Sequence, residues 1–450
     1  MYSSVIDSEI FRDQYGNDNM NKVFSDENLV QCWANTWKAL AAAEAEAGII
    51  PEAAAEGIAA KAQAANFDFK EIRYGITKTA HPLMTQIRMF EKICGKEAGA
   101  YVHWGATTQD IMDTASVLQL KQAWAILEAQ TENLRDKCLI LAQKHRDTIM
   151  AGRTHGQHAL PTTFGYKIAG WAEEYSRHLE RIKEGKKRFL CLCLYGAAGT
   201  LASLGEAGLE VQQRMCSKLG LLNVPTTSWH TARDGFAECS SLIAMLAGTT
   251  GKIAQEIINL QRSELGEVEE DFSMDRIGSS TMPQKRNPMI CENMVANVRI
   301  VLSHAALGFQ GMLQEHERDM SYWQTEWLYL PQMCILTSNV MFMLDYVLEH
   351  MKVYPKKMER NLALGKGTIV AERVMLILGR YLGRNTAHDV LHEATMKAFA
   401  ADKMLADILL EDERVTSKMT KEEILEALNP ANYTGCAGVF VDKLVEKLTQ

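Results

Sequence analysis

The stretch DTASVLQLKQAWAILEAQTENLRDKCLILAQKHRDT, Asp113 to Thr148, decides the architecture. Its apolar residues recur with the period of a helix face, and the pattern runs for over thirty residues before Gly152 breaks it. A helix of that length without strict heptads buries one face in a multi-helix bundle. Working outward, SDENLVQCWANTWKALAAAEAEAGIIPE (Ser25 to Glu52) predicts a second helix. Ser25 can cap it, Asp26 and Glu27 suit its first turn, Leu29, Trp33, Trp37 and Leu40 form its stripe, and Gly48 and Pro51 stop it. The tail, with AERVMLILGRYLG (Ala371 to Gly383) and KEEILEALNPANYTG (Lys421 to Gly435), returns to shorter helices. Alternating β-branched runs with Asn-Gly or Asp-Gly turns are nearly missing. The expectation is an all-α protein in three parts: a mainly helical region 1–109, a central long-helix bundle 110–353 and a small helical domain 354–450.

Composition narrows the function. The chain has 450 residues, 47% hydrophobic and 23% charged, as ordinary globular proteins do. A net charge of −8 provides no field to attract nucleic acid or an anionic membrane. The first residues carry Asp and Glu early and lack an apolar segment, unlike a signal peptide, and no apolar run of 18 residues suggests a membrane span. Ten cysteines occur without CxxC pairs; even the closest, Cys191 and Cys193, read as buried reduced thiols. These features lead us to expect a cytoplasmic protein.

Four polar stretches interrupt the helices. HWGATTQDIMDTA (His103 to Ala115) puts Thr107, Thr108, Gln109 and Asp110 where a helix begins, which suits either a helix cap or a ligand. AGRTHGQHALPTTFG (Ala151 to Gly165) holds His155 and His158 beside Thr154. It is not HExxH and has no cysteine or carboxylate nearby, so an acid–base histidine on a loop suits it better than zinc. GSSTMPQKRNPM (Gly278 to Met289) offers the hydroxyls of Ser279 and Ser280, the charges of Lys285 and Arg286, the Asn287 amide and a glycine that lets backbone N–H groups approach. No phosphate-loop spacing is present, including at GKGT, Gly365 to Thr368. EHERDMSYWQTEWLYLP (Glu315 to Pro331) reads alone as an amphipathic helix with Trp323, Trp327 and Leu330 on its core face.

Taken together, these stretches resemble the fumarase/aspartase superfamily. GSSTMPQKRNP matches its GSSxMPxKxNP signature at every fixed position, and the Thr-Asp and Thr-His stretches match its other two shared regions in the same order. The resemblance spans essentially the whole chain. It implies a homotetramer with a twenty-helix core, active sites shared between three subunits, and no metal or organic cofactor. The family eliminates a group from the carbon beside a carboxylate, typically releasing fumarate. By resemblance Ser279 is the base, Lys285 and Asn287 clamp the substrate carboxylate, His155 is the general acid and Glu292 orients it. Thr107, Thr108 and Thr154 hold the second carboxylate, with Gln109 beside them and Arg318 as a further anion contact.

THGQHALPTTFG, NPMICENM and HERD resemble adenylosuccinate lyase, and His81 in TAHPL falls at that branch's second active-site histidine. The phosphate positions depart from it: Trp323 and Gln324 stand for a serine pair, Trp327 for an arginine and Trp229 for a glutamine. Those departures are similar to 3-carboxy-cis,cis-muconate lactonizing enzymes, though Ala232 replaces a glutamine of that branch and His81 has no counterpart there. The expected activity is β-elimination from a small, phosphate-free N- or S-substituted succinate, giving fumarate plus an amine or thiol. The alternative is a carboxymuconate cycloisomerase. An adenylosuccinate lyase and an inactive structural homologue follow in that order.

Overall fold

The computed structural model describes residues 4–227, 230–272, 279 and 281–449. Ser228, Trp229, Gly278 and Ser280 lie outside the described residues. The described chain is all-α in character, with nineteen α-helices and two small two-stranded sheets. Five helices are long: Thr108–Lys144, Phe164–Phe189, Asp234–Gln261, Met289–Gln310 and Met320–His350. The first has 37 residues, about 55 Å at 1.5 Å per residue. Met320–His350 is apolar and long enough to cross a membrane by length and composition, but 67% of its apolar window is buried within the protein. That is the pattern of a core helix.

The chain divides into two compact units. The first comprises Met1–Glu132, Arg177–Gly251 and Asn293–Phe342. Here Asp26–Glu46 begins as its sequence predicts, with the Ser25 hydroxyl accepting the Asn28 N–H at 3.2 Å. Trp33, Trp37 and Leu40 are buried, and Trp37 stacks on Phe90 with centroids 5.3 Å apart. Trp124 and Phe189 form a second aromatic contact at 5.4 Å.

The second unit comprises Asn133–Ser176, Lys252–Glu292 and Met343–Gln450. Its core gathers Val374, Leu378, Val390, Leu391, Leu409 and Ile424 from the C-terminal helices. The sequence of Ala151 to Gly165 suggests a loop around His155; the structure instead forms an antiparallel hairpin, Ile149–Thr154 with Gln157–Thr163. Thr154 pairs with Gln157, so His155 and Gly156 make the turn, with φ of 53° and 73°. Two successive positive φ values match the twist of a tight hairpin, and glycine supplies the second without strain.

Of the ten cysteines, eight are buried, Cys94 is half-buried and Cys436 is exposed, and all are free thiols. Burial pushes Cys32, Cys191 and Cys239 up to about 12 and Cys94 up to about 11.

Candidate active site

The first unit collects one group of the expected site residues. Thr107 precedes the Thr108–Lys144 helix, and its N–H donates to Asp110 Oδ2 at 2.9 Å, which caps that end. Its hydroxyl accepts from Arg318 Nη1 at 3.2 Å, while Arg318 Nη2 donates to the Ala197 carbonyl at 2.9 Å. Arg318 Nε–H is buried without a hydrogen-bond partner. His81 joins the group with Nε2 3.4 Å from the Thr108 hydroxyl. Its Nδ1 accepts the backbone N–H groups of Leu83 and Met84 at 3.2 and 3.0 Å. Those two donors fix the tautomer: Nδ1 carries no proton, so Nε2–H is a donor facing Thr108. Threonine hydroxyls, a guanidinium and an imidazole N–H in one cluster suit a carboxylate.

Gln109 turns the other way. It is buried, and its amide donates to Asp113 Oδ2 at 3.2 Å and to the His230 carbonyl at 3.3 Å, so it supports the Thr107–Thr108 turn from behind. Asp113 belongs to a buried network that sequence reasoning missed. Arg233 Nη1 donates to Asp113 Oδ2 at 2.6 Å and Arg233 Nε to Glu326 Oε1 at 2.9 Å. Trp323 Nε1–H donates to Asp113 Oδ1 at 2.7 Å. Burial pulls the Arg233 pKa down, but the facing carboxylates more than restore it, so the guanidinium stays charged. Burial raises the Glu326 carboxyl while Arg233 opposes that shift, and Gln109 and Trp323 give Asp113 further donors. The i, i+4 spacing of Gln109 and Asp113 was a signal that both share a helix face.

Asp110, Cys193 and His230 bring three ligand-type atoms within 4.8 Å of one another. The geometry does not suit a metal ion. Asp110 already accepts the Tyr195 and Gly196 N–H groups at 2.8 and 3.0 Å besides Thr107 and His230, and burial keeps the Cys193 thiol protonated.

Gln324 is exposed and donates to the Met320 carbonyl of its own helix at 2.9 Å. Trp327 is half-buried, edge-on to Trp323 at 4.9 Å.

The second unit carries the other group. His155 is exposed at the hairpin tip beside Thr154. Arg153, two residues earlier, anchors that hairpin by a bidentate pair to buried Glu267 at 3.0 and 2.6 Å, which Asn361 also bonds at 2.7 Å. Ser279 Oγ accepts the Met282 N–H at 3.1 Å and the Thr281 N–H at 3.4 Å. Donors aimed at a hydroxyl oxygen favour its deprotonated form. Arg286 is engaged with Glu269, which also takes the Tyr354 hydroxyl at 2.9 Å. Lys285 is exposed and has no ion-pair partner among the described residues. Glu270 caps the Met289–Gln310 helix by accepting the Cys291 and Ile290 N–H groups at 2.7 and 3.2 Å, which fixes the base of Glu292. Among the described residues no hydrogen bond or ion pair joins His155, Ser279 and Glu292 to one another within one chain.

Comparison with known proteins gives the family. Residues 12–302 match a family model described as Lyase, and residues 367–444 match one described as Adenylosuccinate lyase C-terminus. The chain is 40% identical to the N-acetyl-S-(2-succino)cysteine lyase of Dickeya dadantii, over 99% of this chain and 98% of that protein. It is also 40% identical to the adenylosuccinate lyase of Methanocaldococcus jannaschii, over 97% and 95%. The crystal structure of 3-carboxy-cis,cis-muconate lactonizing enzyme from Pseudomonas putida superposes with a TM-score of 0.92 at 36% identity, covering 98% of this chain and 99% of that one. With its fold, its signature segment and its relatives in agreement, the chain belongs to the lyases of the fumarase/aspartase superfamily, in the branch that holds adenylosuccinate lyase and the carboxymuconate lactonizing enzymes.

Proposed function

We infer that this lyase removes an amine or thiol from a small, phosphate-free substituted succinate and releases fumarate. One observation carries the reading: Trp323 and Gln324 stand where the adenylosuccinate lyase branch has a serine pair, and Trp327 stands where it has an arginine. Trp323 spends its N–H on buried Asp113, Trp327 packs against it, and Arg233 is locked between Asp113 and Glu326. Burying a phosphate dianion without a bidentate cation is costly, whereas a carboxylate clamp suffices for a succinyl group. The Dickeya relative, named for a succinylated cysteine derivative, points to the same class.

The reaction is a carbon-acid problem. Ser279 takes a proton from the CH2 beside one carboxylate, with the Thr281 and Met282 N–H groups and Lys285 stabilising its alkoxide. Charge builds on that carboxylate as an aci-dianion, which Lys285 and Asn287 stabilise. The adjacent C–N or C–S bond then breaks, its electron pair leaving with the heteroatom, and His155, oriented by Glu292, supplies the proton. Thr107, Thr108, Thr154, His81 and Arg318 hold the other carboxylate. The full site needs a homotetramer, with the polar groups supplied by three subunits and no cofactor. The three-part division at 1–109, 110–353 and 354–450 and a cytoplasmic location belong to the same reading.

A fumarate-release screen across N- and S-succinyl amino acids and adenylosuccinate tests it, with carboxymuconate lactonisation followed in parallel by loss of the diene absorbance. The expected result is kcat/KM of about 10⁴ M⁻¹s⁻¹ or better for a phosphate-free adduct. Adenylosuccinate turned over at that efficiency would overturn the argument from the indoles, and turnover of carboxymuconate alone would make the cycloisomerase the function.

A further inference from the structure

The face of the Thr108–Lys144 helix that presents Thr108 continues as Met112, Ser116 and Leu120, spaced four residues apart. Below Thr108 this face becomes one wall of a cavity of about 450 Å³ within the first unit. The Asp26–Glu46 helix contributes Leu29 and Trp33 to it, and the Met320–His350 helix contributes Trp327, Leu330 and Pro331. Pro82, directly after His81, lies at its edge. Met112 is one helical turn from Thr108, about 5.4 Å along the axis. Two of its lining residues, Pro82 and Met112, thus adjoin members of the cluster, His81 by sequence and Thr108 by one helical turn.

Its chemistry is specific. Among the described residues no lysine or arginine lines it, and its two carboxylates are Asp26 at the exposed edge and Glu326, which is already paired with Arg233. An anionic group would meet no cation there. Pro331 has no N–H to give the Trp327 carbonyl one turn earlier, so the helical ladder is interrupted in this wall and a carbonyl acceptor is released. A cavity of this size holds far more than the side chain of a simple amino acid.

We propose that this cavity takes an uncharged, largely apolar cap on the leaving group, such as a medium-chain or aromatic acyl group joined through an amide whose N–H faces the Trp327 carbonyl. The inference rests on the reading of the chain as a succinate-adduct lyase and specifies the leaving group. With Met112 one turn from Thr108, a short amino acid is the linker that would join a succinyl carboxylate at Thr108 to a cap at Met112.

The test is a series of S-succinyl cysteines carrying acetyl, butanoyl, hexanoyl and benzoyl caps on nitrogen, assayed by fumarate release with the intact oligomer. kcat/KM should climb by roughly fourfold per methylene through the first additions, the effect of burying a CH2. Ser116→Leu, which narrows the cavity, should flatten that climb, read as the hexanoyl-to-acetyl ratio. In a second arm, acetanilide should bind saturably by calorimetry to wild type and more weakly to Ser116→Leu. A flat or falling series with an active acetyl substrate overturns the proposal, as does acetanilide binding that Ser116→Leu leaves unchanged. If no succinyl compound yields fumarate, the lyase reading itself fails, and acetanilide binding then reports on the cavity alone: its absence overturns the cavity as a site, and its presence removes the cap from the leaving-group role.

Discussion

Arg318 Nη1 donates to the Thr107 hydroxyl at 3.2 Å across 211 residues of sequence. The pairing turns a helix-start threonine outward from simple capping and joins it to a cation whose Nε–H is still unpaired. Arg318→Ala should raise KM and lower kcat/KM by about 10- to 100-fold, the worth of a charge-assisted hydrogen bond. Arg318→Lys should restore only part of it, since a point charge cannot bond Thr107, Ala197 and substrate together. A KM within twofold of wild type in the alanine variant would remove Arg318 from the site.

Ser279→Ala should cut kcat by roughly 10²- to 10⁴-fold while leaving substrate binding and oligomeric state intact. Mixing it with His155→Ala, then unfolding and refolding the two together, should regain activity on an N-succinyl substrate, on which both variants are impaired. Sites free of both lesions form only if the two residues come from different chains. Size-exclusion profiles confirming assembly without any regain would show that each subunit builds its own site.

The need for His155 depends on what departs. Sulfur can depart as a thiolate, whose conjugate acid has a pKa of about 8.5, whereas nitrogen departs only as the neutral amine and must carry a further proton as its bond to carbon breaks. His155→Ala should therefore slow N-succinyl substrates by roughly 10²-fold or more and S-succinyl substrates substantially less. Equal losses on matched pairs would show that His155 does not protonate the leaving group.

Arg233 is a folding determinant. Arg233→Met leaves Asp113 and Glu326 buried without their cation and should cost about 3–5 kcal/mol in urea unfolding. Replacing Arg233, Asp113 and Glu326 together with apolar residues should recover much of that loss, because the desolvation penalty disappears along with the pair.

Glu44 is fully buried, neither of its oxygens has a partner, and burial pushes its carboxyl up to about 8. Above its unfolded pKa the unfolded chain has lost this proton while the folded chain keeps it. Stability therefore falls as pH rises from roughly 4.3 until the folded pKa near 8 is passed. Glu44→Gln should unfold at a similar temperature at pH 5 and at a higher one at pH 8.5. Parallel melting profiles across that range would contradict the assignment.

Much of this was legible in the chain. Periodicity and the Ser25 cap located the helices because those signals are local, and GSSTMPQKRNP carried the family because its glycine, proline and cations are fixed in spacing. The hairpin under His155 was hidden because its turn is His-Gly, without the usual asparagine or aspartate, and its strands carry Gly152 and Pro161. Gln109 read as a ligand by type, yet the direction of a helix face depends on partners such as Asp113 and His230, and the latter lies 121 residues away. The Arg233 network had no local signature, since its members meet only when separate helices pack.

The sequestered cysteines acquire a chemical meaning from the proposed reaction. Fumarate is itself an electrophile that alkylates thiolates, the reverse of the cleavage inferred for this enzyme. A thiol held near 12, as Cys32 and Cys239 are, is ionised to only about one part in 10⁵ at pH 7. The catalyst thus works in its own alkylating product with eight of its ten thiols buried, and Cys436 is the exposed thiol left open to that self-inflicted damage.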